Sequence, residues 1–230
     1  MCGRFTLHHN LSDVQDRFSV QASLFDPLPR YNLAPQQTVA VVVAADDGAR
    51  VLDGFQWGLI PSWAKDPRIG GKMINARSET VAEKPSFRGL LARRRCIVPS
   101  DGFFEWEKTG GIKQPFHFRS ADGGLFGFAG LWDEWESPDG SPIRTCTILT
   151  TSANETVGRV HDRMPVILAE GDGGEALWLD PTLREREALL ALLHPFADSE
   201  MEAVAVSRRV NSPAHDDPSC LEPIGPPPQD

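Results

Sequence analysis

The chain opens M-C-G-R-F-T, so Cys2 directly follows the initiator methionine. Once that methionine is removed, residue 2 carries an α-amine and a thiol on adjacent carbons. The amine, with an ordinary pKa of about 7.7–8.0, is partly neutral near pH 7; the thiol, near 8.5, is partly thiolate. An aldehyde that meets this pair forms an imine with the nitrogen. The sulfur then attacks the imine carbon and closes a five-membered thiazolidine, with the kinetic advantage of reactants already held together. A cysteine here can equally be inert, and the dipeptide alone favours that simpler account.

Three further segments set polar groups in apolar surroundings. In I-N-A-R-S-E, Asn75 and Arg77 stand two apart and would share one face of a strand. There Asn75 can orient a carbonyl or hydroxyl, and Arg77 can fork onto a phosphate; a turn asparagine followed by a surface arginine is the rival account. In G-F-F-E-W, Glu105 lies between Phe104 and Trp106. A carboxylate among aromatics loses solvation, so its pKa rises and it can shuttle protons, although plain alternation, aromatics inward and Glu105 outward, fits slightly better. In V-H-D-R-M-P, His161 offers the natural acid–base group near neutral pH. Arg163, two residues on, can hold an anion; a loop histidine with solvated neighbours is the alternative. Trp57 and Trp63 lie near Lys65, Arg68 and Lys72. Bases of a single strand stack on such rings while cations track the phosphates, yet core packing is the commoner fate of a tryptophan.

The elements that must position these groups are legible in part. Ser12 with Gln15 reads as a capping box opening a helix. T-V-A-V-V-V-A-A and R-V-L-D-G-F-Q-W, separated by D-D-G, read as a hairpin. Residues 58–75 read as a long loop of the kind that is functional or mobile; beyond it come helical pieces at 78–83 and 86–94, broken at Pro85. Residues 96–132 alternate strand and turn, and 143–151, 165–169 and M-E-A-V-A-V-S read as further strands. Asp180-Pro181 would open a long helix through L-R-E-R-E-A-L-L-A-L-L. Short strands with interspersed helices and no regular β-α-β alternation indicate an α+β fold. We expect a single domain over residues 1–210, built on a bent antiparallel or mixed sheet or barrel-like core with flanking helices. The Pro-, Asp- and Ser-rich tail, 211–230, is expected to be irregular or disordered.

Composition bounds the function. With 40% hydrophobic and 24% charged residues, the chain can bury a real core. No apolar run approaches the roughly 20 residues that span a bilayer, and no signal-like leader is visible, so the expected address is cytoplasmic. The cysteines Cys2, Cys96, Cys146 and Cys220 form no C-x-x-C, and no histidine pair has metal-site spacing; neither metal nor cofactor is expected. Cys96 and Cys146 read as small buried hydrophobes. Net charge is −9, yet residues 61–113 hold 11 Lys/Arg against 6 Asp/Glu. That local excess permits a basic groove on an acidic body, or a merely solvated face.

Taken together, M-C-G-R-F, W-G-L-I-P-S-W, N-A-R-S-E, C-I-V-P-S-D-G-F-F-E-W, H-D-R-M-P and V-S-R-R-V-N resemble, in this order, the SOS-response-associated peptidase (SRAP) family. The resemblance runs from residue 2 to about residue 211, and implies recognition of abasic sites in single-stranded DNA. It further implies joining of the ring-opened deoxyribose aldehyde to the N-terminal cysteine as a reversible thiazolidine, after autoproteolytic exposure of Cys2. Carried over by motif, Cys2 is the nucleophile, and Asn75 and Arg77 position the lesion. Glu105 assists amine attack and reversal, while His161 promotes sugar ring opening and imine formation. Arg4, Arg77 and Arg163 become candidates for backbone phosphates, with Trp57 and Trp63 near the bases. The expected partner is single-stranded DNA with abasic sites, bound by a monomer that is nucleoid-associated when on DNA. Two rivals stand beside this reading. One is an N-terminal-nucleophile amidohydrolase of the glutamine amidotransferase kind, whose thiol attacks an amide. The other is a single-strand-binding module without chemistry.

Overall fold

A computed structural model describes residues 2–170 and 173–225 of the chain. In chain order the elements are β1 (Phe5–Leu7), α1 (Leu11–Phe18), β2 (Ala22–Ser23), β3 (Arg30–Leu33), β4 (Thr38–Ala44), β5 (Arg50–Trp57), β6 (Asn75–Arg77), α2 (Arg88–Arg93), β7 (Arg95–Ser100), β8 (Gly102–Thr109), β9 (Ile112–Ser120), β10 (Phe126–Glu136) and β11 (Pro142–Ser152). They continue as α3 (Glu155–Gly158), β12 (Arg163–Pro165), β13 (Ile167–Leu168), α4 (Gly174–Leu179), α5 (Arg186–Ala191) and β14 (Met201–Ala205).

The hairpin foreseen from V-A-V-V-V forms as β4 and β5, paired antiparallel from Thr38↔Gln56 to Ala44↔Arg50. It belongs to a run of neighbours β11-β10-β7-β4-β5. This run closes on itself because β5 also pairs with β11 in parallel, at Gln56↔Thr145 and Trp57↔Cys146. Closure of five strands into a barrel removes the exposed edges that an open sheet would present. β7 is buried at all six positions, and the interior is one apolar cluster that includes Phe5, Val42, Phe55, Ile97, Phe128 and Ile148. A second sheet, in the order β14-β9-β8-β1-β3, lies alongside. Its β1 pairs with β8 at Phe5↔Phe103 and Thr6↔Gly102 and with β3 at Phe5↔Leu33. The fold is thus α+β, a single domain on a barrel core. Among the described residues no helix is long and apolar enough to cross a membrane.

Two local expectations are corrected. The helix at residue 11 is capped by Asn10 and Asp13, which bond reciprocally, rather than by Ser12 and Gln15. The long helix after Pro181 shrinks to the six residues of α5. Buried Arg95 explains this: its guanidinium takes the carbonyls of Trp178, Asp180 and Leu183, and the last two are acceptors that a helix beginning at Pro181 would need for itself. The segment after Val210 is irregular in backbone apart from a short turn of helix at Pro218–Leu221, with Cys220 buried and residues 222–225 exposed; residues 226–230 of the expected tail lie outside the described residues. Asp216 accepts the backbone N–H groups of Tyr31 and Asn32 and pairs with Arg30. Asn32 donates to the carbonyls of Ser212 and His215.

Candidate active site

Cys2 is fully buried at the edge of the apolar core, just ahead of β1. Its position is fixed from a distant strand: Asn75 Nδ2 donates to the Cys2 carbonyl at 2.7 Å. β6, which carries Asn75, runs parallel to β11 with Ile148↔Asn75 and Thr150↔Arg77. Ala76 between them is buried and Arg77 is exposed, so alternation sets Asn75 and Arg77 on the face away from the barrel core, as expected from their spacing. Asn75 Oδ1 is shielded from solvent and has no hydrogen-bond partner among the described residues.

Glu105 lies on β8 and is only 3% exposed. The outward orientation favoured by alternation is corrected, because both faces of β8 are covered. Phe104 packs into a satellite cluster with Val206, Val210 and Cys220, and Glu105 turns the opposite way. Burial pushes its carboxyl pKa up, opposed by the charge of His161. The Cys2 thiol is also pushed up, first by burial and then by the negative charge of Glu105. Gly3, Arg4, Glu105, Trp106, Lys113 and His161, with Asn211, line one cavity of about 500 Å³.

His161 lies just past α3 and is partly exposed. The amide N–H of Arg163 donates to its Nδ1 at 3.0 Å. A backbone amide is only a donor, so in the neutral ring the proton sits on Nε2. Asp162 Oδ1 is 3.1 Å from the same Nδ1, but that contact carries an ion pair only when the ring is charged. β12, which begins at Arg163, pairs antiparallel with the end of β11 at Ser152↔Arg163. The N-A-R and R-M-P segments therefore flank the same stretch of β11.

Their flanking groups meet directly. Arg163 forms a bidentate pair with Glu79 and donates to the Thr150 carbonyl at 2.6 Å. This engagement replaces the expectation of an Arg163 free to hold a phosphate. Arg4 is likewise committed, donating to Asn32 Oδ1 at 2.8 Å and to the Val210 carbonyl at 3.0 Å, though it still borders the cavity. Arg77 is exposed, and its side chain makes no hydrogen bond or ion pair among the described residues.

The two tryptophans separate. Trp57 is wholly buried, its ring 5.1 Å from that of Phe5, and its indole N–H donates to the Ile74 carbonyl at 2.9 Å. It presents no ring face to a base, so stacking at Trp57 is corrected to a packing role that also steadies the approach to Asn75. Trp63 is 61% exposed and with Lys65, Arg68 and Lys72 borders a second cavity of about 750 Å³. The basic middle segment is divided: Arg95 is buried and Arg94 pairs with Asp133, whereas Lys65, Lys72, Arg77 and Lys113 remain exposed.

Sequence reasoning passed over Glu79, Trp106, Lys113 and Asn211. Glu79 is visible as the last residue of N-A-R-S-E. Asn211 is likewise visible as the last residue of V-S-R-R-V-N, whereas Lys113 carries no signal; the β8–β9 hairpin and the turn Arg208–Asn211 bring them together, with Trp106 Nε1 donating to Asn211 Oδ1 at 2.7 Å.

Comparison with known proteins matches residues 1–213 to the family described as SOS response associated peptidase (SRAP). The abasic site processing protein YoqW of Bacillus subtilis is 44% identical over 225 residues, 96% of this chain and 99% of that one. The abasic site processing protein HMCES of Gallus gallus is 39% identical over 229 residues, 85% of this chain and 66% of that one. A crystal structure of a protein from Bacteroides thetaiotaomicron superposes with a TM-score of 0.86 at 29% identity, covering 97% of this chain and all of the other (100%).

Proposed function

The chain belongs to the SOS response associated peptidase family, and from that membership we propose that it captures abasic sites in single-stranded DNA as a covalent adduct of Cys2. The observation that carries this reading is the hydrogen bond from Asn75 to the Cys2 carbonyl. It holds the backbone of the one residue that can offer nitrogen and sulfur together, beside a cavity bordered by Glu105 and His161. The names of the relatives, abasic site processing proteins, supply the substrate class.

Removal of Met1, which lies outside the described residues and which we assign to the protein itself, frees the Cys2 amine. His161 Nε2–H protonates the ring oxygen as the C1′–O bond breaks, and the imidazole recovers a proton from the C1′ hydroxyl in the same exchange, exposing the C1′ aldehyde. The amine attacks C1′, and the carbinolamine loses one water to give an imine. Sγ then bonds to the same carbon, its proton passing by way of the Glu105 carboxylate to the imine nitrogen, which becomes the ring amine. Nitrogen acts first because burial and the Glu105 charge hold the thiol protonated. A carboxyl raised by burial accepts the thiol proton and can return it, which makes the adduct reversible. Arg77 and the exposed Trp63 with its lysines hold phosphates and bases on either side.

The test is incubation with an oligonucleotide bearing one abasic site, then denaturing electrophoresis and intact mass. Wild type gives a shifted band whose mass is protein minus Met1 plus DNA minus one water. Cys2→Ala gives none; an undiminished band from Cys2→Ala, or from chains that keep Met1, overturns the scheme.

A further inference from the structure

β1 and β8 run antiparallel, so at the end of the pair opposite Cys2 and Glu105 the exit from β1 meets the entry to β8. The side chains that meet there are His8, His9 and Asp101. One ligand atom from each lies within 4.8 Å of the others. Chain order hides this cluster, because Asp101 lies 92 residues from His9. We propose that these three side chains bind a first-row transition-metal dication of the zinc type, which clips the far end of the strand pair that carries the nucleophile.

The decisive feature is a contest for one carboxylate oxygen. Asp101 is 5% exposed. Its Oδ1 accepts from the Thr6 hydroxyl, a hydrogen bond that fixes the carboxylate plane as outer partners do for metal ligands. Its Oδ2 accepts the backbone N–H of His8 and faces Nδ1 of His8 at 2.8 Å and Nδ1 of His9 at 3.3 Å. A carboxylate oxygen offers two lone-pair directions. The amide occupies one, leaving two imidazole nitrogens to share the other. His8 Nδ1 is the loser: it is shielded from water and makes no hydrogen bond of acceptable geometry. A cation shared by the three atoms gives each lone pair a partner.

Size and donor chemistry agree. Ligands on tetrahedral zinc stand about 3.3 Å apart, the His9–Asp101 separation, and the His8–Asp101 contact needs to open by roughly half an ångström. Two imidazoles and a carboxylate suit zinc and its neighbours, whereas calcium and magnesium take all-oxygen sets. The His8 ring is pre-set by stacking on Tyr31 at 5.2 Å with 15° between planes. Both rings are about a third exposed, 35% and 29%, and border a small cavity of about 160 Å³ that has room for a water ligand. Arg119 borders it too, but its charge is engaged by Glu202 at 3.4 Å.

The test strips the full-length protein with a chelator, dialyses it, and titrates Zn²⁺ against a chromophoric competitor, with Co²⁺ absorption as a geometry readout. Wild type, Cys2→Ser, His9→Gln and the His8→Gln/His9→Gln double variant are compared. Cys2→Ser is included because an amino-terminal aminothiol is itself a chelator. One equivalent should bind wild type and Cys2→Ser alike, raise the melting temperature of both, and weaken at least about 100-fold in either histidine variant. Since His9 is partly exposed, His9→Gln keeps the reading available should the double variant not fold. Absence of saturable binding at micromolar zinc, binding that Cys2→Ser abolishes, or binding that the histidine variants retain overturns the proposal. No readout uses DNA, so failure here is separate from failure of the crosslinking scheme.

Discussion

Glu105 and Asp101 make an instructive pair. Asp101 immediately precedes β8 and Glu105 lies near its middle; the two are almost equally buried at 5% and 3% exposure and are driven in opposite directions. For Glu105 burial dominates and its pKa rises. For Asp101 burial works the same way but is outweighed by the His8, His9 and Thr6 groups that face it, which hold the carboxyl well below the usual carboxylate range. Depth does not decide the state of a buried acid; the donors gathered around it do. Glu105 is left poised to take and return a proton, while Asp101 is a fixed negative charge on which residues 6–9 are organised.

That contrast can be broken experimentally. Glu105→Gln keeps the shape and removes the proton traffic, so adduct formation and reversal on an abasic-site oligonucleotide should slow by about 10²–10⁴-fold, with binding retained. Its effect on stability should have the opposite sign. A carboxyl raised in the folded state binds more protons than in the unfolded chain between its ordinary and its raised pKa. Wild type therefore loses stability as pH rises through that interval. Melting temperatures across a pH series should show Glu105→Gln gaining on wild type from acid to neutral pH and then running parallel; wild type gaining on Glu105→Gln as pH rises refutes the assignment.

Asp101→Ala should do the reverse, costing about 3 kcal/mol because the Thr6 hydroxyl and the His8 amide lose their acceptor. In a chain of this size that lowers the melting temperature by about 6–12 °C. Unchanged melting would show that Asp101 is not the organising charge. Trp63→Ala provides a baseline away from both acids: an exposed ring lost from a stacking surface should weaken single-strand binding by about 1–2 kcal/mol and leave melting unaltered. The smallest effect is expected at the brace beside His161. A double-mutant cycle of Glu79→Ala and Arg163→Ala should give a coupling of about 0.5–1 kcal/mol, since Glu79 is half exposed at 51%. Crosslinking should slow in both single variants as His161 loses its support; a coupling of zero removes the brace.

Much of the barrel is legible in the sequence. β4 and β5 announce themselves by β-branched runs around an Asp-Asp-Gly turn, and the strands between residues 96 and 152 by aromatic and aliphatic alternation. Sequence pattern fails where a distant group intervenes. The helix after Pro181 is cut short by Arg95 claiming its carbonyls. Alternation predicts an exposed Glu105 because it presumes one wet face, and from Gly102 to Glu105 β8 is buried on both. Basic neighbours in sequence point Trp57 toward bases, yet its ring is taken by Phe5.

By itself the sequence determined the inventory: a cysteine at position 2, an Asn and Arg at strand spacing, a carboxylate between aromatics, a histidine before Arg163. These are properties of a few adjacent residues, and local sterics and hydrogen-bonding capacity suffice to state them. Only the tertiary structure decided that Asn75 holds Cys2 across 73 residues and that Glu79 restrains Arg163 across 84. It also decided that one buried acid is raised while its neighbour is lowered. Desolvation and electrostatic partnership depend on what stands within a few ångströms in space, and chain order does not encode that until the barrel has closed.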